Sequence, residues 1–138
     1  MILWGISPSA FACGCGDDYP NWDRHYAKAK FVFLAEIVRT EVVETHNGRV
    51  SAIRAHLRVD EVFKGDVPQV TTLVDRDAGT SCAGSFQSRY KRYLFFVVND
   101  GFREPCTGNL QLSDREGNRA AEERVFGELR ALKTDKSR

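Results

Sequence analysis

Ser51-Ala52-Ile53-Arg54-Ala55-His56-Leu57-Arg58-Val59-Asp60 is the most regular stretch of the chain. Ser51, Ile53, Ala55, Leu57 and Val59 alternate with Ala52, Arg54, His56, Arg58 and Asp60, so one face is apolar and the period is two. Successive strand side chains point to opposite faces, and this pattern predicts a half-buried β-strand. Just upstream, Thr45-His46-Asn47-Gly48 holds an Asn-Gly pair, which tolerates the positive φ angles of a tight hairpin turn. The run opening at Phe31-Val32-Phe33-Leu34-Ala35 and reaching Val43 is then the preceding strand, apolar on both faces at its start as a central strand is. Downstream, Val62-Phe63-Lys64-Gly65-Asp66 reads as a turn and residues 70–74 as a third strand. Tyr93-Leu94-Phe95-Phe96-Val97-Val98, closed by Asn99-Asp100-Gly101, reads as a strand buried on both sides, and residues 110–112 add a short last one.

Away from the strands the period changes. Ala121, Val125, Leu129 and Leu132 recur at helical spacing, with Glu122, Glu123, Arg124 and Arg130 off that line. Ser113-Asp114-Arg115-Glu116 has the form of a capping box, but Gly117 and Asn118 follow it, which moves the helix start toward Arg119. The expected helix covers about residues 117–132, with a frayed tail over 133–138. Residues 16–29 read as a loop with a helical turn over 22–28 that packs Trp22 or Tyr26 inward. Five strands and one amphipathic helix imply a mainly β or α+β domain, a small barrel with a packed helix.

A length of 138 residues suits a single domain with a genuine core. Twenty basic residues stand against 19 acidic ones, for a net charge of +1. That balance excludes the basic excess of a general nucleic-acid binder and of a polybasic membrane anchor. No run after the first residues approaches the roughly 18 apolar positions of a membrane span. Residues 1–12 have the order of a secretory signal: an apolar Ile2-Leu3-Trp4, a Ser7-Pro8-Ser9 break, and the small-x-small triplet Ala10-Phe11-Ala12. The segment is short and lacks a basic start, as a truncated signal would. Cleavage after Ala12 makes Cys13 the first residue of a mature domain spanning 13–138. A lipid-anchored variant expects leucine where Ala10 stands.

Four cysteines, Cys13, Cys15, Cys82 and Cys106, follow this leader and read as two disulfides formed in an oxidising compartment. A bond between Cys13 and Cys15 would be badly strained, so each must reach a distant partner, and two connectivities remain. Each bridge closes a long loop, for which chain entropy allows about 4 kcal/mol. A structural zinc site expects paired Cys-x-x-Cys knuckles, which are missing. A catalytic thiol needs a partner histidine, and no motif sets His25, His46 or His56 beside a cysteine; all three read as surface or loop residues.

The ordered series Cys13-Gly14-Cys15, Phe31-Val32-Phe33, Val62-Phe63-Lys64-Gly65, Thr80-Ser81-Cys82-Ala83-Gly84-Ser85-Phe86, Tyr93-Leu94-Phe95-Phe96 and Pro105-Cys106-Thr107 resembles the netrin-like domain of tissue inhibitors of metalloproteinases. The resemblance implies a five-stranded OB-fold-like barrel with flanking helices, and disulfides Cys13–Cys82 and Cys15–Cys106. It implies further that the mature protein is a secreted metalloendopeptidase inhibitor. The α-amine and carbonyl of Cys13 would chelate the zinc of a target protease, Gly14 would point to its main specificity pocket, and Thr80, Ser81 and Cys82 would line the adjoining ridge. Vertebrate members carry Thr or Ser where Gly14 stands and a further disulfide; the shorter architecture is similar to bacterial proteins that share the domain.

The expected location is extracellular or periplasmic, and the expected state a monomer with no cofactor, no intrinsic metal, no enzymatic activity, no membrane span and no nucleic-acid partner. The alternative is a non-inhibitory netrin-like module that binds an extracellular protein through the barrel surface. Arg89-Tyr90-Lys91-Arg92-Tyr93 interleaves basic and aromatic residues as nucleic-acid grooves do, but reads as a strand entering the core. Asp17, Asp18, Asp75 and Asp77 read as solvated loop carboxylates, and Asp75-Arg76-Asp77 lacks calcium-loop spacing.

Overall fold

A computed structural model describes residues 22–76, 86, 92–104, 109–112 and 118–136, with side chains up to Thr134. The elements run α1 (Trp22–Lys28), β1 (Phe31–His46), β2 (Arg49–Lys64), β3 (Val70–Asp75), β4 (Arg92–Val97), β5 (Phe102–Arg103), β6 (Leu110–Leu112) and α2 (Arg119–Lys136). The fold is mainly β: one six-stranded sheet, ordered β5-β3-β2-β1-β4-β6, with two helices. All five expected strands form. The two-residue β5 was not legible in the sequence, because nothing in so short a piece has a period.

The hairpin of β1 and β2 builds the rest. Asn47 and Gly48 take φ angles of 52° and 74°, the pair of left-handed residues whose twist matches the flanking strands. Five register shifts interrupt the β1–β2 ladder, and such bulges bend and coil a ribbon. β4 pairs with β1 only over residues 31–36. β3 pairs with β2 over residues 53–58, which lie opposite residues 36–42 of β1. The two outer strands therefore grip opposite halves of a coiled ribbon, and the sheet curls into a half-barrel. The curl returns β5 to the β3 edge: Val74 and Asp75 pair in parallel with Phe102 and Arg103. The Val74 amide donates to the Gly101 carbonyl at 2.9 Å, and the Phe102 amide donates to the Asn99 carbonyl at 3.1 Å.

Alternation along the strands divides the core in two. Phe33, Ala35, Ala55, Leu57, Leu73, Tyr93, Phe95 and Val97 fill the inside of the curl. There Tyr93 stacks on Phe95 at 5.4 Å between ring centroids, and Phe33 tilts against it at 5.6 Å. Val32, Leu34, Leu94 and Phe96 face the other way, under Tyr26 of α1, Ala29 just after it, and Phe126 and Leu129 of α2. Each large side chain so buried is worth roughly 2 kcal/mol over exposure. That division explains why β4 and the start of β1 are apolar on both faces.

Several boundaries differ from the sequence reading. β1 continues beyond Val43 to His46, because cross-strand pairing to β2 persists up to the turn. β2 continues through Val62 and Phe63 to Lys64, where a turn was expected; Phe63 is fully buried, and the Tyr26 hydroxyl donates to its carbonyl at 2.8 Å. The turn comes at Gly65, whose φ is 79°; a Cβ there would stand 2.6 Å from the Phe31 ring and 2.9 Å from the Lys30 carbonyl oxygen. α2 starts at Arg119 and passes Leu132 to reach Lys136. Its last turns are held, not frayed: Lys133 Nζ donates to the Val62 carbonyl at 3.0 Å, and the Thr134 hydroxyl donates to the Arg130 carbonyl at 3.1 Å. The buried line of α2 is Phe126 and Leu129, with Val125 and Leu132 half-buried, whereas Ala121 is exposed. The capping box at 113–116 lies outside the described residues. Among the described residues no helix is long and apolar enough to cross a membrane.

Candidate functional site

Cys13, Gly14, Cys15, Thr80, Ser81, Cys82 and Cys106 all lie outside the described residues, as do Asp17, Asp18, Asp77, Arg89, Tyr90 and Lys91. The described residues fix where the segments carrying those cysteines leave and rejoin the fold. Segment 77–85 leaves from Arg76 at the end of β3. It returns at Phe86, whose ring packs edge-on against Phe95 at 6.2 Å. Segment 105–108 leaves from Glu104 and returns at Asn109. The N-terminal segment joins at Trp22.

These anchor points are linked to one another. Parallel pairing sets Asp75 opposite Arg103. One residue on, the Arg76 guanidinium stacks over the Phe102 ring at 3.9 Å and pairs with Glu104 at 3.7 Å. The Asn99 carboxamide also donates to the Glu104 carboxylate. Asn109 closes the Cys106 segment with both ends of its side chain. Its Oδ1 accepts the Phe96 amide at 2.8 Å, and its Nδ2 donates to the Glu104 carbonyl at 2.8 Å. On the same Phe96, the indole of Trp22 stacks at 5.7 Å. Trp22 and Leu110 line one cleft with Asn118, Ala121 and Val125 of the α2 entry. The three segments that carry cysteines are thus tied to a single chain of contacts, Trp22–Phe96–Asn109–Glu104–Arg76.

That frame rests on helices locked from below. Lys64 Nζ donates to the Tyr26 carbonyl at 2.7 Å and to the Ala27 carbonyl at 3.3 Å, satisfying acceptors at the C-terminal end of α1. Burial raises the Tyr26 phenol above its ordinary pKa. Arg130 of α2 donates twice to Glu61 of β2, both at 2.8 Å, and this holds the Glu61 carboxyl below its ordinary range.

Some side chains sit differently from the sequence reading. His25 is buried rather than at the surface, on the α1 face that meets Phe96, with its ring 6.0 Å away. Asp75 is buried rather than solvated, at the β3 end that pairs with β5. His46 is exposed at the ribbon tip, and His56 is half-buried, its Nε2 at 2.8 Å from Glu41 Oε1. Of the basic-aromatic run, Arg92 reaches Asp60 at 3.9 Å and Tyr93 is buried in the core, so Tyr93 offers no ring face to a base. Asn109 escaped the sequence reading, and Arg76 entered it only as the middle of Asp75-Arg76-Asp77. Each sits at the margin of a cysteine segment, which was the one signal that marked them.

No protein-family model matches the chain, and no curated protein matches it.

Proposed function

We propose that this chain is an exported netrin-like module that inhibits metalloendopeptidases through a disulfide-anchored N-terminus beginning at Cys13. The observation that carries this reading is the linkage of the three anchor points. Cα atoms two residues apart lie within about 7 Å, and a disulfide spans at most about 7 Å between Cα atoms. Bridging Cys13 and Cys15 to Cys82 and Cys106 therefore requires those partners to lie within about 20 Å of each other. Cys82 stands six positions after Arg76 and Cys106 two positions after Glu104, and those residues are ion-paired. The arrangement suits either of the two open connectivities, and the family resemblance implies Cys13–Cys82 with Cys15–Cys106.

The sheet supports the barrel of the same reading. β5 follows β4 through a four-residue turn and pairs with β3 in parallel. In this reading β1, β2, β3, β5 and β4 correspond to the five strands of an OB-type barrel, to which the half-barrel sheet adds β6 beside β4.

In this mechanism the Cys13 α-amine and carbonyl ligate the protease zinc in place of its catalytic water. Ligation needs the neutral amine, whose ordinary pKa of about 7.7–8.0 makes proton loss inexpensive. Two bridges hold the N-terminus in place beforehand, so little ordering entropy opposes binding. Thr80, Ser81 and Cys82 form the neighbouring ridge. The test is to assay the oxidised protein starting at Cys13 against a panel of zinc endopeptidases, beside a form with one extra N-terminal alanine. Inhibition by the first form alone supports the proposal, and equal inactivity of both overturns it.

Gly14 favours a second reading, a binding module without inhibitory activity, since it has no side chain to fill a specificity pocket. Recovery of a non-protease partner that still binds when the α-amine is acetylated would select that reading.

A further inference from the structure

A cleft opens where the β2–β3 turn, the start of β3 and the β4–β5 turn meet, at the end of β3 away from Arg76 and the segment that follows it. Phe31, Phe33, Leu73 and Val97 form its apolar floor, and the last three are buried members of the inner core. Two carboxylates, Asp66 of the first turn and Asp100 of the second, stand exposed at its rim. Its enclosed space is about 50 Å³. An apolar cavity of about 150 Å³ admits benzene, so this one is too small for a ring and suits a single unbranched chain.

That combination narrows the occupant. A narrow apolar space opening on two carboxylates is complementary to a side chain with a methylene stem and a cationic head. Lysine and arginine both have that form. Lysine fits better, because an ammonium turns its three donors toward acceptors on separate turns, whereas the planar guanidinium fork matches one carboxylate at a time. Lys30 stands beside the cleft, its ammonium 5.6 Å from the Phe31 ring centroid. Phe31 thus already hosts an ammonium, and the two aspartates outweigh that single charge. Lys133, which shares a neighbouring depression with Asp66, donates to the Val62 carbonyl at 3.0 Å.

We propose that this cleft is a docking site for a lysine side chain of a partner protein, the stem lying against Phe33, Leu73 and Val97 and the ammonium between Asp66 and Asp100. The turns that carry the two aspartates are held in place. Gly65, before Asp66, is packed against Phe31 and the Lys30 carbonyl. Gly101, after Asp100, accepts the Val74 amide on its carbonyl at 2.9 Å. The site is therefore formed in advance, and little ordering opposes entry. Both carboxylates are exposed, so the ammonium keeps contact with water and each ion pair is worth little. One lysine alone binds weakly, in the millimolar range, and a partner gains affinity through contacts beyond the cleft. The proposal does not depend on protease inhibition.

Titration of the full, oxidised chain with a blocked tripeptide holding lysine between two glycines, followed through amide NMR shifts, tests it. The expected result is saturable shifts at Thr72, Leu73 and Gly101. The same tripeptide with norleucine keeps the stem and loses the ammonium, and should bind about tenfold more weakly; the arginine tripeptide should also bind more weakly than lysine. Asp66→Asn and Asp100→Asn, at exposed positions, should each weaken the lysine tripeptide about threefold. Thr71→Phe, at a half-buried lining position of β3, fills the cleft and should abolish binding, and the amide spectrum itself establishes that each variant is folded. No saturable shifts at those amides, norleucine or arginine binding as tightly as lysine, aspartate variants without effect, or undiminished binding to folded Thr71→Phe would each overturn the proposal.

Discussion

Gly65 sits where β2 turns back across the start of β1, with a left-handed φ and the Lys30 carbonyl oxygen 2.9 Å from where a Cβ would stand. Gly65→Ala therefore meets both a backbone strain and a backbone contact. It should destabilise the protein by at least about 2 kcal/mol in urea unfolding, whereas Gly127→Ala, with open space around it, should be neutral or stabilising. Asn109 is a second residue of this weight, because its carboxamide accepts from one backbone group and donates to another within a short reach. Asn109→Ala leaves the Phe96 amide and the Glu104 carbonyl without it and should lose about 1–3 kcal/mol. At the proposed N-terminus the sign of the pH effect follows from the neutral amine that ligation requires. Inhibition should weaken about tenfold for each pH unit below the amine pKa, measured as a ratio to a metal-directed inhibitor with no amine to titrate.

At the scale of elements, the docking of α2 on β2 combines an apolar contact, Phe63 stacked on Phe126 at 6.0 Å, with the forked Arg130–Glu61 pair. The Glu61 carboxyl is held below its ordinary range chiefly by the Arg130 hydrogen bonds, so its folded pKa is lower than its unfolded one. Its stabilising contribution is present above the ordinary carboxylate range and is lost as pH falls through the folded pKa. The Glu61–Arg130 pair is solvent-accessible, and its worth is small. Thermal unfolding of Glu61→Gln should lie slightly below wild type near pH 7 and converge with it on acidification. The elements were legible because each carries its own period: alternation for β2, a helical line for α2, an Asn-Gly turn between β1 and β2. Their ends were not, since pairing to a neighbour carried β2 through Phe63 to Lys64, and α2, whose Lys133 donates to the Val62 carbonyl, runs past Leu132 to Lys136.

For the whole molecule, Phe95 is the hub of the inner core, touched by Phe33, Tyr93 and Phe86. Phe95→Ala should cost about 3–5 kcal/mol, while Val70→Ala, at an exposed β3 position, should change little; chemical denaturation compares the two. If the proposed bridges form, reduction should lower stability by several kcal/mol, since each closes a long loop. Folded protein with unchanged stability after reduction would count against them.

Composition and local pattern determined by themselves that the chain builds a mainly β domain, which strands run through its centre, and where the first hairpin turns. These are properties of short-range periodicity and backbone preference, and five of six strands and both helices were readable from them. Only the tertiary structure decided the curl of the sheet, the return of β5 to β3, the burial of His25 and Asp75, and the bridging role of Asn109. Each depends on residues far apart in sequence meeting after the bulged ribbon coils, and no local window holds that information. The cysteine segments themselves were found by their spacing; what the fold added is that the residues bounding them are joined in one connected set of contacts.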